Sequence, residues 1–471
     1  MKRGFLNTPR AKKQIEKSNG LETNLPKKAD SIHESSPAIK VDFSYKYSYG
    51  ELSETGVPKG YKNSKLENTN FPDEKKAYDP KIYIHTRLPP RQASQGLSNS
   101  GGCQTECLVS GFVKRTIHET PGFPSDPLPC PGGICYRIGD AGEKGLGVFS
   151  TRLIGAGELI IDERPLIILP SSSIFAYIDD PNFPSYTHEQ QKQIQLHEQN
   201  RAMQVVYDQR REWRVYGVAL FSASSFMMLA HPRFLNRRVR TNGLMVDPEQ
   251  FRDADTTGDF GIYSAIYKVL SRINHSCCPN TIRKWHTDTF THRLYAARDI
   301  PPNTEITLQY CNLLDSSAER AQALAPYGIS ACTCSPACNG DPAQIKLSSE
   351  RRARTKRALS SILFPPKHFT PGVSRDRWLL PAIERLRDLE EEQLEGLRHY
   401  KGVLFTLTEA YIHLCDVEKA LMYGRKLKKV YKAWMGEELD PMYWTEKGIR
   451  ASPMYRTGML IAAGEGYMRI T

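Results

Sequence analysis

The sequence predicts a mixed, mainly β domain interrupted by a helical insertion and followed by a C-terminal α-helical domain. Three observations carry that fold class. Short apolar runs separated by glycine turns begin at Tyr136. A polar stretch of helical period splits them, and strand-like runs return near Arg293. Beyond Cys338 the pattern is helical to the end of the chain.

With 471 residues the chain is too long for one ordinary domain. Charged residues make up 25% and hydrophobic ones 39%, which suits a soluble globular protein with a polar excess. No run reaches the roughly 18 apolar residues of a transmembrane helix. The opening MKRGFLNTPRAKKQIEKSNG has no apolar stretch long enough for a secretory signal. Net charge is +12, and residues 1–100 hold 18 Lys+Arg against 11 Asp+Glu, so +7 of it lies there. Such charge suits acidic partners such as chromatin, but no nucleic-acid motif accompanies it, and a solvated tail is the better reading.

Residues 1–130 are rich in Lys, Ser, Asn, Pro and Gly with little periodicity, and read as a basic, largely disordered region. The pairs Lys2-Arg3 and Lys12-Lys13 have the form of a split nuclear-import signal, a pattern common by chance. Tyr136-Arg137-Ile138 is strand-like. Gly145-Leu146-Gly147 turns into a second strand, and Gly155-Ala156-Gly157-Glu158 turns again into Leu159-Ile160-Ile161 and Leu166-Ile167-Ile168-Leu169. Thr187 stands three residues before Gln190, a capping-box spacing, and opens a polar helix towards Trp213. Gly217 to Leu229 also reads as helix, so the insertion covers about 171–240. Strands return at Arg293 and at Thr304 to Tyr310.

Leu379 to Tyr400 is charged and amphipathic, and Lys401 to Trp434 reads as a helix pair broken near Cys415-Asp416. Leu404, Leu407, Tyr411 and Ala420 stand where a tetratricopeptide hairpin has its packing residues, whereas Thr408 and Gly424 do not fit it. Residues 345–471 therefore read as a helical domain of tetratricopeptide likeness.

The 11 cysteines are odd in number and mostly in two clusters, which favours thiols or metal over disulfides. Cys332-Thr-Cys334-Ser-Pro-Ala-Cys338 offers three thiols, one short of a structural zinc set; Cys277 or Cys278 is the natural fourth. Exposed loop thiols are the plainer alternative. Cys103, Cys107, Cys130 and Cys135 form a second group whose spacing matches no familiar module. In S-R-I-N-H-S-C-C-P-N, residues 271–280, His275 precedes Cys277 by two and suggests a nucleophile with its base. Such pairs ordinarily come from distant segments with a third orienting group, and none is evident. Glu305-Ile-Thr-Leu-Gln-Tyr310 alone is an ordinary strand.

Taken in order, Gly145-Leu146-Gly147, Asn274-His275-Ser276-Cys277, Glu305 to Tyr310 and Cys332/Cys334/Cys338 resemble the SET-domain protein lysine methyltransferases. The resemblance covers residues 133–340. The helical insertion, Thr241-Asn242-Gly243, the helical C-terminal domain, and Ser316 capping a helix with Glu319-Arg320 that runs to Tyr327-Gly328 are similar to the SET-and-MYND branch. No cysteine lies between Cys135 and Cys277, so the MYND finger of that branch is lacking. The post-SET segment also departs from the family pattern, with Ile329 at the expected aromatic position and one residue added on each side of the Cys-x-Cys pair.

This resemblance implies a SET domain of small sheets around a pseudoknot-like core over 133–311 and a post-SET zinc segment over 312–340. It implies methyl transfer from S-adenosylmethionine to a lysine of a histone or non-histone protein, with Tyr310 at the transfer point. It further implies that Gly145, Leu146, Gly147, Asn242, Asn274 and His275 hold the cofactor. Cys277, Cys332, Cys334 and Cys338 would bind one structural zinc, with Cys278 a bystander. The expected partners are a lysine-bearing protein or peptide and chromatin, with no membrane, for a monomer of nucleus or cytoplasm. Two rival readings are a catalytically silent SET scaffold and, more weakly, a DNA-binding zinc protein.

Overall fold

A computed structural model of the chain describes residues 57–63, 66–68, 83–90, 104–170, 180–194, 197–198, 201, 242–246, 248–251, 262–329, 332–357 and 374–462. Regular structure begins earlier than composition suggests. Strands β1 (Leu66–Asn68), β2 (Tyr83–Leu88) and β3 (Thr105–Ser110) lie side by side, followed by helix α1 (Gly111–Glu119). The expectation of a largely disordered 1–130 is corrected for these residues. Every residue of β3 is buried, Glu106 among them. Its carboxylate meets His85 Nε2 at 2.9 Å and accepts from Arg87 Nε at 2.8 Å. Pairing is what allows a charge-bearing strand to lie in a core.

Strands β4 (Tyr136–Asp140), β5 (Leu146–Ser150), β6 (Leu159–Glu163) and β7 (Ile167–Pro170) follow where the apolar runs stand. Thr187 and Gln190 make the expected reciprocal cap, and residues 188–194 are helical. The reading of Gly217–Leu229 as helix, the basic pairs near the start, Thr241 and Cys103 lie outside the described residues. Strands β8 (Leu244–Val246), β9 (Tyr263–Ile266), β10 (Asn274–His275), β11 (Thr281–His286), β12 (Thr291–Ala296) and β13 (Glu305–Leu308) complete three sheets. Their orders are β1-β2-β3-β7-β9-β8, β10-β13-β5-β4 and β11-β12-β6. The parallel pair β10–β13 matters most for function. It sets Asn274 against Thr307 and His275 against Leu308, joining the two motif segments.

Helices α2 (Ser317–Leu324), α3 (Pro336–Asn339) and α4 (Pro342–Arg357) lead out of the sheets. Ser316 and Glu319 form the capping box of α2. Helices α5 (Leu380–Glu391), α6 (Arg398–His413), α7 (Val417–Met435), α8 (Glu446–Ala451) and α9 (Pro453–Ala462) make up the C-terminal helical part. Its core takes in Leu404, Leu407, Tyr411 and Ala420, and is continuous with Ile282 and Tyr295 of the β11–β12 sheet. Thr408 is buried because its hydroxyl donates to the Leu404 carbonyl at 2.7 Å. Gly424 is a glycine because any Cβ there would collide with the Tyr443 carbonyl. The amphipathic stretch Leu379–Tyr400 is not one helix. It breaks after α5, where Arg298 binds the carbonyls of Gln393, Cys278 and Pro279 and clamps the turn to the β10–β11 connection. None of the described helices is long and apolar enough to cross a membrane.

Candidate active site and thiol cluster

Tyr310 lies two residues beyond β13 and is held at both ends. Its hydroxyl donates to the Ile273 carbonyl at 2.6 Å, and its backbone N–H donates to His275 Nδ1 at 3.1 Å. Its ring tilts against those of His275 and Tyr327, with centroids 5.5 and 5.0 Å away. The segment from Ile273 to His275 thus fixes both position and orientation of the phenol.

Next to it, Asn274 Nδ2 donates to the Leu146 carbonyl at 3.1 Å and to Glu305 Oε1 at 2.8 Å. Lys144 Nζ donates to the other Glu305 oxygen at 2.8 Å. A Cβ on Gly147 would stand 2.9 Å from Glu305 Oε1 and 3.1 Å from Asn274 Nδ2, so this close approach requires glycine. Gly145 has a φ of 83°, the left-handed region that favours glycine. Gly145, Leu146, Gly147 and Asn274 therefore come together. Asn242 stands exposed, two residues ahead of β8 at the edge of the six-stranded sheet.

The His275 ring does not share the side taken by Asn274. Successive side chains of a strand point to opposite faces. Asn274 turns towards β5, while His275 Nε2 lies 3.2 Å from Cys277 Sγ. Only the His275 main chain is left on the Asn274 side.

The distal thiols converge on Cys277. The Sγ atoms of Cys277 and Cys332 are 3.9 Å apart, Cys332 and Cys334 3.0 Å, and Cys334 and Cys338 3.9 Å. Four thiolates on a tetrahedral zinc at about 2.3 Å stand roughly 3.8 Å apart, a spacing that the Cys277–Cys332 and Cys334–Cys338 pairs match and the Cys332–Cys334 pair falls short of. Cys278 faces Ser276 Oγ at 3.4 Å instead. Cys311, which no motif marks, lies against Cys277 and His275 and is pushed down to about 5, first by the hydrogen bond from Cys277. The Cys338 thiol is held far below the ordinary thiol range, first by Cys277 and in the same sense by Arg320. Arg320 is 1% exposed, with Nη2 3.6 Å from Cys338 Sγ. A buried guanidinium beside clustered thiols favours their anionic, metal-binding form.

Two fourth ligands compete, because His275 also lies within 4.8 Å of Cys277, Cys332 and Cys334. The hydrogen bonds of His275 bear on the choice. A peptide N–H can only donate, so Nδ1 of His275 accepts from Tyr310 and carries no proton. The proton of the neutral ring then sits on Nε2, which has no lone pair left for a metal. Cys338, 3.9 Å from Cys334, is the other candidate fourth ligand.

Of the second cysteine group, Cys107 and Cys135 are core side chains, and Cys130 Sγ donates to the Ile160 carbonyl at 3.1 Å. Lys144, Glu305, Tyr327, Arg320 and Arg352 were not singled out by sequence reasoning as site residues. Glu305 and Lys144 adjoin motif residues, which is a usable signal. Arg352 sits in a charged run, Glu350-Arg-Arg-Ala-Arg-Thr-Lys-Arg357, that no motif marks, yet it is 1% exposed.

Residues 145–311 match the family model of the SET domain. N-lysine methyltransferase SMYD2 of Homo sapiens is 22% identical over 203 residues, covering 41% of this chain and 45% of that protein. SMYD2-B of Xenopus laevis is 26% identical over 226 residues, covering 42% and 46%. Histone-lysine N-methyltransferase set5 of Schizosaccharomyces pombe is 26% identical over 202 residues, covering 43% and 59%. The chain spans about half the length of the curated relatives it matches.

Proposed function

We propose, from the premise that residues 145–311 are a SET domain, that the chain transfers a methyl group from S-adenosylmethionine to a lysine amine of a protein. The observation that carries this reading is the two-point hold on Tyr310 beside the Asn274–Gly147 contact. S-adenosylmethionine supplies an electrophilic methyl on a sulfonium. Transfer is an in-line displacement, so alignment of amine and methyl accounts for much of the rate.

The residues of the chain provide that alignment. The Tyr310 hydroxyl donates a hydrogen bond to the Ile273 carbonyl, and since a phenol oxygen can accept as well as donate, it can take an N–H of the lysine amine and aim the nitrogen. The Tyr310 and Tyr327 rings give the amine an apolar wall, and desolvation favours its neutral, nucleophilic form. Water carries the released proton away, so no protein base is needed. Gly145, Leu146, Gly147, Asn274 and the main chain of His275 form the donor's cradle, with Asn242 shaping its rim. Lys144 and Glu305 set one ammonium and one carboxylate there, the complements of an amino-acid end. Cys277, Cys332, Cys334 and Cys338 would hold one zinc as a staple between β10 and the post-SET segment. The tetratricopeptide-like hairpin α6–α7 is the docking part for protein partners.

Calorimetry of the zinc-loaded chain with S-adenosylmethionine tests the reading, followed by methyl transfer to a lysine peptide array. Saturable binding and labelled peptides are expected; absence of cofactor binding overturns it.

A further inference from the structure

One segment of five residues, Ile273 to Cys277, touches both Tyr310 and the thiol cluster. The Ile273 carbonyl accepts a hydrogen bond from the phenol, His275 Nδ1 accepts one from the Tyr310 amide N–H, and Cys277 supplies a thiol. His275 is 3% exposed; its Nδ1 accepts from Tyr310 N at 3.1 Å, its Nε2 lies 3.2 Å from Cys277 Sγ, and Cys311 also lies against the ring. The ring is rigid, so a displacement of the Cys277 sulfur is passed to Nδ1 and hence to the Tyr310 amide. A metal-held thiolate is also a stronger acceptor for the Nε2 proton than a free thiol is.

We propose that His275 is a positioning residue that couples occupancy of the thiol site by metal to the placement of Tyr310. The coupling rests on the methyltransferase reading only for its consequence in catalysis; the metal-dependent shift of Tyr310 stands apart from it. In this account the zinc site has a second task besides fastening the post-SET segment. It tensions the strand that aims the phenol. The rigid parts around it fit that task. Arg352 binds the Cys277 carbonyl at 3.1 Å, and Arg298 binds the Cys278 and Pro279 carbonyls at 2.8 and 2.9 Å. Arg352 of α4 and Arg298 beyond β12 thus hold the main chain at Cys277 to Pro279, while the His275 ring is in direct contact with the sulfur.

Two substitutions separate the ends of the relay. His275→Asn puts an amide oxygen where Nδ1 stands and keeps an acceptor for Tyr310, but does not reach the thiol. His275→Gln puts an amide N–H where Nε2 stands and keeps the thiol contact, but loses the acceptor for Tyr310. The experiment uses the full chain labelled with 15N-tyrosine, the Tyr310 amide being identified by its loss in Tyr310→Phe. Zn2+ is added to chelated protein, and Co2+ binding is followed by its thiolate absorption.

In the parent the Tyr310 amide resonance is expected to move with metal occupancy. In both variants Co2+ still binds the thiols, the amide response is lost, and kcat falls by about 10- to 100-fold with little change in peptide KM, the scale expected of a misplaced catalytic group. A parent whose Tyr310 amide ignores metal overturns the coupling without any variant having to fold. A response that persists unchanged in both variants overturns it as well. If the parent transfers no methyl group, the methyltransferase reading fails while the amide response still decides the coupling.

Discussion

The guanidinium of Arg352 and the carboxylate of Glu392 form a buried ion pair, Nε to Oε2 at 3.0 Å, at the junction of the sheets and the helical part. Arg352 Nη1 also donates to the carbonyls of Cys277 at 3.1 Å and Leu313 at 2.6 Å. Ser348 donates its hydroxyl to the same carboxylate. Arg352→Ala leaves Glu392 buried without its main partner. A loss of about 3–5 kcal/mol in denaturant unfolding is expected, the usual cost of breaking a buried pair from one side. Replacing both, with Arg352→Met and Glu392→Leu, should recover part of that loss, since no lone charge remains although the Cys277 and Leu313 carbonyls lose their donor. A single substitution that costs nothing contradicts the burial described.

Gly147→Ala tests the donor's cradle. Its Cβ would stand 2.9 Å from Glu305 Oε1, so the Glu305–Asn274 hydrogen bond must give way. Cofactor affinity should fall by about tenfold, roughly the 1.4 kcal/mol that one hydrogen bond and a shifted amide represent. Titration calorimetry reads it directly; unchanged affinity would remove Gly147 from the donor site.

Cys338→Ser separates the two candidate ligand sets. If Cys338 is the fourth ligand, the variant should bind zinc at least tenfold more weakly in a chelator competition and melt several degrees lower. If His275 were the ligand, Cys338→Ser would keep the parent's affinity.

Much of this was legible in the sequence where the signal is local. The caps Thr187–Gln190 and Ser316–Glu319 depend on residues three apart, and both form as read. The motif segments were legible as well, because each carries its own residue types. What escaped depended on partners far along the chain. β3 falls in the stretch read as largely disordered, and the burial of its Glu106 needs His85 and Arg87 as partners, with a parallel neighbour at Ile167–Ile168. Arg352 carries no mark in its charged run, and its burial needs Glu392, Cys277 and Leu313 around it. The direction of the His275 ring followed from strand alternation, but only once Asn274 was known to face β5.

Acid should weaken the sheet that carries His286 and His292. Burial first, then the charges of Arg293 and Lys284, pushes the His286 imidazole down to about 4 from its ordinary 6.5. Burial holds His292 well below its ordinary value too. The unfolded chain takes up both protons near pH 6.5, whereas the folded chain takes up that of His286 only near pH 4 and holds that of His292 off to well below its ordinary value. More protons are bound by the unfolded state in that window, so stability is fully present above pH 6.5 and is lost as pH falls towards 4. The melting temperature should drop across this interval, and His286→Gln should flatten the slope. A melting temperature that rises on acidification there contradicts the burial of these rings.

The most direct measurement of the central claim is methyl transfer from labelled S-adenosylmethionine to protein lysines by the zinc-loaded chain, compared with Tyr310→Phe. That variant removes only the oxygen bound to the Ile273 carbonyl. The expected result is clear transfer by the parent, a loss of about 100-fold or more in the variant, and cofactor affinity within about threefold, because the hydroxyl acts on the transition state more than on binding. Transfer by the variant at the parent's rate would contradict the account.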